Sequence, residues 1–151
     1  FEFKTVSVES NNDCKKYLFS ENQGRLGINQ SLALVSNQVE NLLKDFQAPA
    51  KILVLGTGEF IYHAFLVAAE LEKQGFEAYA QSTTRSPILI SHAIKDKLEF
   101  QDNYDDGIPN YLYNSRMNDY DPIVIVHETP KNTELETLAT QLNATLLYIG
   151  Q

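Results

Sequence analysis

Apolar residues recur at helical spacing in two stretches of the chain. In Ser31–Phe46 they fall on one face with a period of about 3.6 residues, which predicts an amphipathic helix that stops before Pro49. In Glu59–Gln74 a similar pattern predicts a second helix, with Gly75 as the residue just beyond its end. The residues expected to face the core from this second helix are Phe60, Ile61, Ala64, Phe65, Ala68 and Leu71.

Shorter apolar runs, several of them rich in β-branched residues, predict strands. They are Phe1–Val8, in which the alternation is weak, Lys51–Leu55, Glu77–Ala80, Ile123–Val126 and Ala144–Ile149. Before the last strand, a third helix is predicted to open at Thr133 and to run through Leu142. Thr133 and Glu136 have the spacing of a capping box, which is typical of a helix start.

In three other segments the apolar residues follow neither helical nor strand spacing clearly. Ser10–Gln30 is polar and predicts a loop that is long for a compact domain. Ile88–Lys97 fits either a short helix or an extension of a strand, and Gln101–Asn114 is rich in turn residues and predicts a loop. The alternation of helices and strands predicts an α/β fold, namely a Rossmann-like three-layer domain with a mainly parallel sheet and right-handed crossovers.

The length of 151 residues suits one domain. We expect residues 31–151 to form the α/β domain and residues 1–30 to be an N-terminal strand and loop segment that contacts a preceding domain. The chain opens at Phe1 with neither an initiator Met nor the layout of a signal peptide, so we interpret it as part of a longer polypeptide.

Charge and cysteine content narrow the range of partners. The net charge is −8 and no basic run is longer than Lys15-Lys16, which argues against nucleic acid, because phosphate neutralisation needs clustered cations. No apolar stretch approaches the about 20 residues that a membrane span needs, so no membrane partner is predicted. The single cysteine, Cys14, excludes an internal disulfide and fits a reducing, cytoplasmic compartment.

The segment after the Glu77–Ala80 strand concentrates anion-binding side chains. Arg85 offers planar, forked donors that suit a phosphate or a carboxylate, and hydroxyl groups flank it. The hydroxyl residues concerned are Ser82, Thr83, Thr84 and Ser86. Because ligands of open α/β sheets bind at the carboxyl ends of strands, the segment predicts an anion site. The alternative is a hydroxyl-rich turn with a surface arginine.

A glycine turn follows the Lys51–Leu55 strand. Gly56, Thr57, Gly58 and Glu59 join this strand to a helix, an arrangement that directs backbone N–H groups at an anion. A dinucleotide fingerprint would need glycine at position 61 and an acid at the end of the next strand, where Ile61 and Gln81 stand. The turn therefore predicts an anion site without NAD, or alternatively a tight strand-to-helix connection. We expect Gly56, Thr83 and His127 to meet at one edge of the sheet.

Acidic and aromatic side chains supply the remaining candidates. His127 and Glu128 end a predicted strand and could act as an acid/base pair, or simply pack there. Asp102, Asp105 and Asp106 could hold Mg²⁺ together with a phosphorylated ligand, although a solvated acidic loop is the preferred interpretation. His63 and His92 have no partner at metal-ligand spacing, so they predict no metal site. The Asp102–Asn114 loop is expected to fold over the Arg85 site, with Asn110 and the tyrosines Tyr104, Tyr111 and Tyr113 contacting a ligand. Alternatively, the tyrosines only pack the loop down, or the loop packs against the preceding domain.

Three segments resemble the bacterial TRSP domain family. They are GTGEF at 56–60, QSTTRSPI at 81–88 and DNYDDGIPNYLYN at 102–114, and the resemblance extends from about Arg25 to about Pro130. The family is named after the motif that stands here as Thr84–Pro87. It typically follows a phosphoribosyltransferase domain in one polypeptide, beside genes of the tellurite-resistance and stress-response type.

The resemblance implies a companion domain of a phosphoribosyltransferase-type protein that binds or processes a phosphorylated ribosyl or nucleoside-like metabolite. The transferase signature of two acids followed by a Thr/Gly loop is absent, since Ile123–Val126 ends in His127-Glu128-Thr129-Pro130. If the domain is catalytic, we expect His127, Glu128 and Asp106 to carry the reaction. The alternative is a non-catalytic module for ligand binding, domain docking or oligomerisation. The expected ligand-binding residues are Gly56–Glu59, Ser82–Ser86, Asn110, Tyr111 and Tyr113.

Overall fold

A computed structural model describes residues 5–6, 35–44, 46–47, 49–115 and 120–149. Five of the described strands form one sheet, in the order β1-β7-β6-β2-β3, and every pair of neighbours in it is parallel. These strands are β1 (Thr5–Val6), β2 (Lys51–Gly56), β3 (Glu77–Ser82), β6 (Ile123–His127) and β7 (Ala144–Tyr148). The helices are α1 (Val35–Leu43), α2 (Ile61–Lys73) and α3 (Thr133–Leu142). The predicted α/β class with a mainly parallel sheet is confirmed.

The direction of winding reverses between β2 and β6. The chain leaves β2 through α2 and enters β3 on one side, whereas it leaves β6 through α3 and enters β7 on the other side. At such a switch point the connections diverge and leave a crevice between the carboxyl ends of the two central strands. We call this space the switch-point crevice, and it lies between the residues that follow β2 and those that follow β6.

Side-chain alternation in the two central strands produces a core on each face of the sheet. Ile52 and Val54 of β2 pack with α1 and α2, whereas Leu53 and Leu55 pack on the opposite face with α3. Every residue of β6 is buried, as expected for a parallel strand covered on both faces. The domain therefore has three layers, with α1 and α2 on one face.

The layer beside α3 differs from the predicted helical layer. It contains an antiparallel hairpin of β4 (Lys97–Gln101) and β5 (Pro109–Tyr113), in which Leu98 and Leu112 join the core beneath α3. The prediction that Gln101–Asn114 is a loop is therefore wrong for both of its ends. Turn residues are concentrated in 102–108, and the alternating Asn110, Tyr111, Leu112 and Tyr113 form a strand. The second outer layer thus combines α3 with this hairpin, and a Rossmann-like arrangement is not established.

Other sequence predictions need smaller corrections. Residues 83–96 contain no regular element apart from a single bridge at Thr84, so neither the helix nor the strand predicted for Ile88–Lys97 forms before β4. β3 continues to Ser82, two residues beyond its predicted end. The predicted strand at the N-terminus is present at Thr5–Val6 and pairs with β7. The predicted loop 10–30, the boundary at residue 30 and the first residues of the first helix lie outside the described residues.

Helix α2 presents a slightly different face from the predicted one. A separate 3-10 turn occupies Thr57–Glu59, so α2 begins only at Ile61. Ile61 and Phe65 are 40% and 56% exposed, and the buried face contains Val67 instead. At the other end Gly75 has a φ of 92° and its N–H donates to the carbonyl of Glu72. Gly75 therefore ends the helix as predicted.

Helix α3 spans its predicted range, but its cap is shifted by one residue. The N-terminal cap is Asn132, whose side-chain oxygen accepts a hydrogen bond of 3.1 Å from the N–H of Leu135. Thr133 lies inside the helix and is exposed to solvent. The capping-box interpretation of Thr133 and Glu136 is therefore wrong, because an amide side chain one residue earlier satisfies the free N–H group.

This shift gives a direct test of the helix start. Asn132→Ala removes the cap and should lower the free energy of unfolding by about 1 kcal/mol. Thr133→Ala, the matched control, should change it by less than about 0.5 kcal/mol, because the residue is an exposed helix position. Urea denaturation followed by circular dichroism measures both variants. A larger loss for Thr133→Ala than for Asn132→Ala would contradict the cap at Asn132.

Candidate functional site

The switch-point crevice brings together the ends of three parallel strands. Gly56 of β2 pairs with Val126 of β6, and its carbonyl accepts a hydrogen bond of 2.9 Å from the N–H of Thr83 after β3. His127 is the last residue of β6. The prediction that Gly56, Thr83 and His127 lie at one edge of the sheet is therefore confirmed.

The glycine turn is closely packed against its surroundings. A Cβ atom on Gly56 would lie 2.1 Å from the carbonyl oxygen of Phe60, so only glycine fits there without movement of the backbone. Gly58 has a φ of 54°, and its N–H donates a hydrogen bond of 2.7 Å to the hydroxyl oxygen of Thr83. The backbone N–H of Gly58, which was predicted to bind an anion, is therefore hydrogen-bonded to the buried Thr83 instead. Thr57 is fully buried, and Glu59 is exposed.

The loop between β4 and β5, residues 102–108, is shaped by one carboxylate. The two oxygens of Asp102 accept three backbone hydrogen bonds, from Tyr104 at 2.9 Å, Asp106 at 3.2 Å and Ile108 at 2.9 Å. This carboxylate is 4% exposed and serves the local backbone. Asp105, with a φ of 59°, and Gly107, with a φ of 66°, complete the turn. We call residues 102–108 the hairpin tip.

The hairpin tip inserts two side chains into the switch-point crevice. The Asn103 amide nitrogen donates to the hydroxyl of Thr57 at 3.2 Å and to the hydroxyl of Thr129 at 2.6 Å. The Tyr104 hydroxyl donates to a carboxylate oxygen of Glu128 at 3.1 Å and lies 3.3 Å from the carbonyl oxygen of Thr57. The Tyr104 ring lies over Gly58, since a Cβ on Gly58 would come within 2.2 Å of it. The tip therefore covers the glycine turn.

The arginine of the TRSP motif lies beside the same tip. Arg85 forms an ion pair with the carboxylate of Asp106, and the two side chains are 30% and 36% exposed. Thr84 exchanges two backbone hydrogen bonds with Tyr111, of 3.0 and 2.7 Å, and its hydroxyl accepts from the N–H of Ser86. Arg85 is therefore held at the mouth of the site between strand β5 and the tip.

The remaining predicted ligand contacts have partners within the protein. Asn110 is buried, its side-chain oxygen accepts from the Thr83 hydroxyl at 3.4 Å, and its nitrogen donates to the carbonyl of Ile108. The Tyr113 hydroxyl donates to the carbonyl of Ser86 at 2.9 Å, and its ring lies 6.2 Å from that of Tyr111. Ser82 is half-buried at the end of β3. Asn110 and Tyr113 therefore connect β5 to the predicted anion segment.

His127 and Glu128 are both buried, but they have different partners. The Nδ1–H of His127 donates to the carbonyl of Thr129 at 2.9 Å, which leaves Nε2 as an acceptor without a partner in the described structure. Burial lowers the pKa of His127 to about 4, so the imidazole is neutral at neutral pH. Glu128 accepts from Tyr104 instead. Glu128 therefore lies beneath the hairpin tip, whereas the ring of His127 packs against that of Tyr148, and Asp106 lies at the surface of the tip.

Sequence reasoning missed the groups that hold the site together. Asn103 and Thr129 are absent from the predicted site, and Asp102 is predicted only as a solvated acid or a metal ligand. The preferred interpretation of Asp102 as a solvated acid is wrong, because its carboxylate is 4% exposed and accepts backbone hydrogen bonds. Asp102 had a detectable signal, because an Asp that precedes a turn accepts hydrogen bonds from the backbone ahead of it. No local pattern indicates the role of Asn103, because its two hydroxyl partners, Thr57 and Thr129, lie 46 and 26 residues away in the chain.

Two features are absent from the described residues. Among them, no group of three or more His, Cys, Asp or Glu side chains is placed to hold a metal ion. Asp102 and Asp106 have the protein partners given above. None of the helices in the described ranges combines the length and the apolar character that crossing a membrane requires.

Comparison with known families gives one match. The model described as "TRSP domain C terminus to PRTase_2" matches residues 22–144, which is most of the chain. The chain belongs to the TRSP domain family. No curated protein sequence matches it. In this TRSP domain the motif Thr84–Pro87 follows β3, and its arginine pairs with the hairpin tip.

The buried histidine of the TRSP domain predicts a dependence of stability on pH. Its pKa of about 4 lies below the ordinary value of 6.5, so the unfolded chain binds the proton more tightly. Above about pH 6.5 the burial of neutral His127 therefore does not lower the free energy of unfolding. As the pH falls towards 4, the free energy of unfolding decreases by up to about 3 kcal/mol, because the unfolded chain takes up the proton first. Urea denaturation at about pH 7 and about pH 5 should show about 2 kcal/mol of this loss, the part that falls within that interval.

His127→Asn is the informative variant, because Asn retains a donor for Thr129 but does not titrate. The variant should lose less stability than the wild type between the two pH values. The pKa of His63 is also lowered to about 4 by burial, so part of the dependence will remain in both proteins. An identical loss in the variant and the wild type would contradict the role of His127.

Proposed function

We propose that this TRSP domain is the companion of a phosphoribosyltransferase domain and binds a phosphorylated ribosyl or nucleoside-like metabolite at the switch-point crevice. The family description, which places the domain C-terminal to PRTase_2, supports the companion role. We further propose that the pathway is a bacterial stress response of the tellurite-resistance type, in the cytoplasm. The resemblance of the segments 56–60, 81–88 and 102–114 to the TRSP family supports the assignment to this pathway.

One observation carries the proposed ligand class, namely the pairing of Arg85 with Asp106 at the mouth of the crevice. A guanidinium binds carboxylate and phosphate oxygens through the same forked geometry. Both side chains are partly exposed, so a phosphate from solvent can reach the guanidinium. In this mechanism the phosphate replaces the Asp106 carboxylate on the Arg85 guanidinium. Ser86, the next residue along the chain, and Tyr111, whose backbone bonds to Thr84, are the neighbours that we expect to contact it.

The hairpin tip supports a lid function for the same loop. Asn103 and Tyr104 fill the space above the glycine turn through hydrogen bonds that a ligand's hydroxyl groups can replace. When Asp106 leaves Arg85, the tip loses its outer attachment. It can then move aside to admit the ligand and close again over it, which excludes water and strengthens the anion contacts. Asn110, Tyr111 and Tyr113 stand at the base of this lid.

Binding is favoured over catalysis by the position of the candidate acids. His127 and Glu128 are 1% and 2% exposed, and Tyr104 covers Glu128, whereas the Arg85 side chain is 30% exposed. The remaining candidate, Asp106, is the ion-pair partner of Arg85 itself. Processing of the metabolite is the second candidate, and the neutral, acceptor-ready Nε2 of His127 favours it. For that reaction the tip would have to open far enough for substrate to reach β6.

Arg85→Ala tests the proposed anion contact. A hydrogen bond to a charged group contributes about 1.5–3 kcal/mol, so the affinity for ribose 5-phosphate should fall roughly tenfold to a hundredfold. Isothermal titration calorimetry measures the affinity, and circular dichroism checks the fold. Lys73→Ala, which removes the same charge at the far end of α2, is the matched control and should bind as the wild type does. Equal affinity in Arg85→Ala would reject the anion site and favour a docking or oligomerisation module.

Asp106→Asn tests the exchange of the carboxylate for a phosphate. An exposed ion pair contributes about 0.2–1 kcal/mol, so removing the competing charge should tighten ribose 5-phosphate binding by up to roughly fivefold. The same calorimetry, with and without Mg²⁺, measures the change. Weaker binding in the variant would contradict the exchange and indicate that Asp106 itself contacts the ligand, directly or through Mg²⁺.

A further inference from the structure

An exposed run of aliphatic residues follows the TRSP motif. Ile88, Leu89 and Ile90 are 45%, 87% and 62% exposed, and we call them the apolar ridge. The segment from Ser86 to Ile94 contains no Asp, Glu, Lys or Arg, although these residues make up 21% of the chain. Depletion of charge around exposed aliphatic groups is typical of the centre of a protein interface and unusual on a free surface.

The ridge is held in a defined position by polar contacts from the end of β5. The Tyr113 hydroxyl accepts from the N–H of Ile88 at 2.6 Å and donates to the carbonyl of Ser86 at 2.9 Å. The Asn114 side chain donates to the carbonyl of Ala93 at 3.0 Å and accepts from the N–H of Lys95 at 2.9 Å. The backbone of an irregular segment is thus fixed while its aliphatic side chains face solvent. Such an arrangement presents the ridge without burying it.

We propose that the apolar ridge is the docking surface for the phosphoribosyltransferase domain of the same polypeptide, an inference that rests on the companion role proposed above. The family description names that domain as the neighbour of a TRSP domain. The ridge begins three residues after Arg85, so a domain seated on it lies beside the mouth of the proposed site. A second copy of this chain is a poorer occupant, because two chains each with a net charge of −8 repel one another.

Cysteine labelling tests the docking surface without changing the core. In a Cys14→Ser background, Leu89→Cys is compared with Phe65→Cys, an exposed apolar position on α2. Each variant is made in the 151-residue chain and in the polypeptide that carries both domains, and its reaction rate with a maleimide is measured. We expect Leu89→Cys to react at least tenfold more slowly in the two-domain polypeptide, and Phe65→Cys to react equally in both.

Three results would overturn the proposal. They are equal labelling of Leu89→Cys in both polypeptides, protection of Phe65→Cys instead, and protection of Leu89→Cys in the isolated domain that grows with protein concentration, which would indicate a second copy. The labelling needs no ligand. A failure of ribose 5-phosphate binding with normal protection of Leu89→Cys would therefore count against the proposed ligand and not against the docking surface.

Discussion

The side-chain amide of Asn103 constrains the site more than any other group, because a buried amide must be paired. Leaving its nitrogen unpaired would cost about 1–3 kcal/mol. Its partners, Thr57 and Thr129, follow the two central strands, so both bonds form only when β2 and β6 are paired in the observed register. The hairpin tip is thereby fixed over the crevice. The positions of Tyr104 over Gly58 and of Asp106 beside Arg85 follow from that placement.

Local patterns were sufficient for the parts of the fold that depend on neighbouring residues. β6 and α3 were predicted within one residue of their observed limits, because a continuous β-branched run and an amphipathic helix need only local sequence. The hairpin is not predicted from the sequence, because the turn residues of 102–108 dominate the pattern there. Its two strands are short, and Leu98 and Leu112 are the residues by which they join the core. The hairpin connects β3 to β6 and packs against α3. This packing joins distant parts of the chain, so no hydrophobic periodicity within one segment predicts it.

The candidate site was predictable in outline and not in its connections. The ends of the parallel strands indicated where Gly56, Thr83 and His127 would meet. The partners of these residues were hidden, because Gly58 bonds to Thr83 across 25 residues and Arg85 pairs with Asp106 across 21. The Gly58–Thr83 bond depends on the parallel pairing of β2 with β3, which no local pattern gives. The Arg85–Asp106 pair depends on the path of the hairpin tip, which is set by the carboxylate of Asp102 and the amide of Asn103.

The donor set around the crevice consists mainly of hydroxyl and amide groups, with Arg85 as the cation at its mouth. These neutral dipoles act over a few ångströms, whereas the net charge of −8 acts over a Debye length of about 10 Å. An anion diffusing from bulk solution therefore approaches against a repulsive field, and its encounter rate rises as added salt screens that field. Under the proposed function, a phosphorylated product released by the adjoining domain starts within this Debye length, so it does not have to cross the repulsive field from bulk solution.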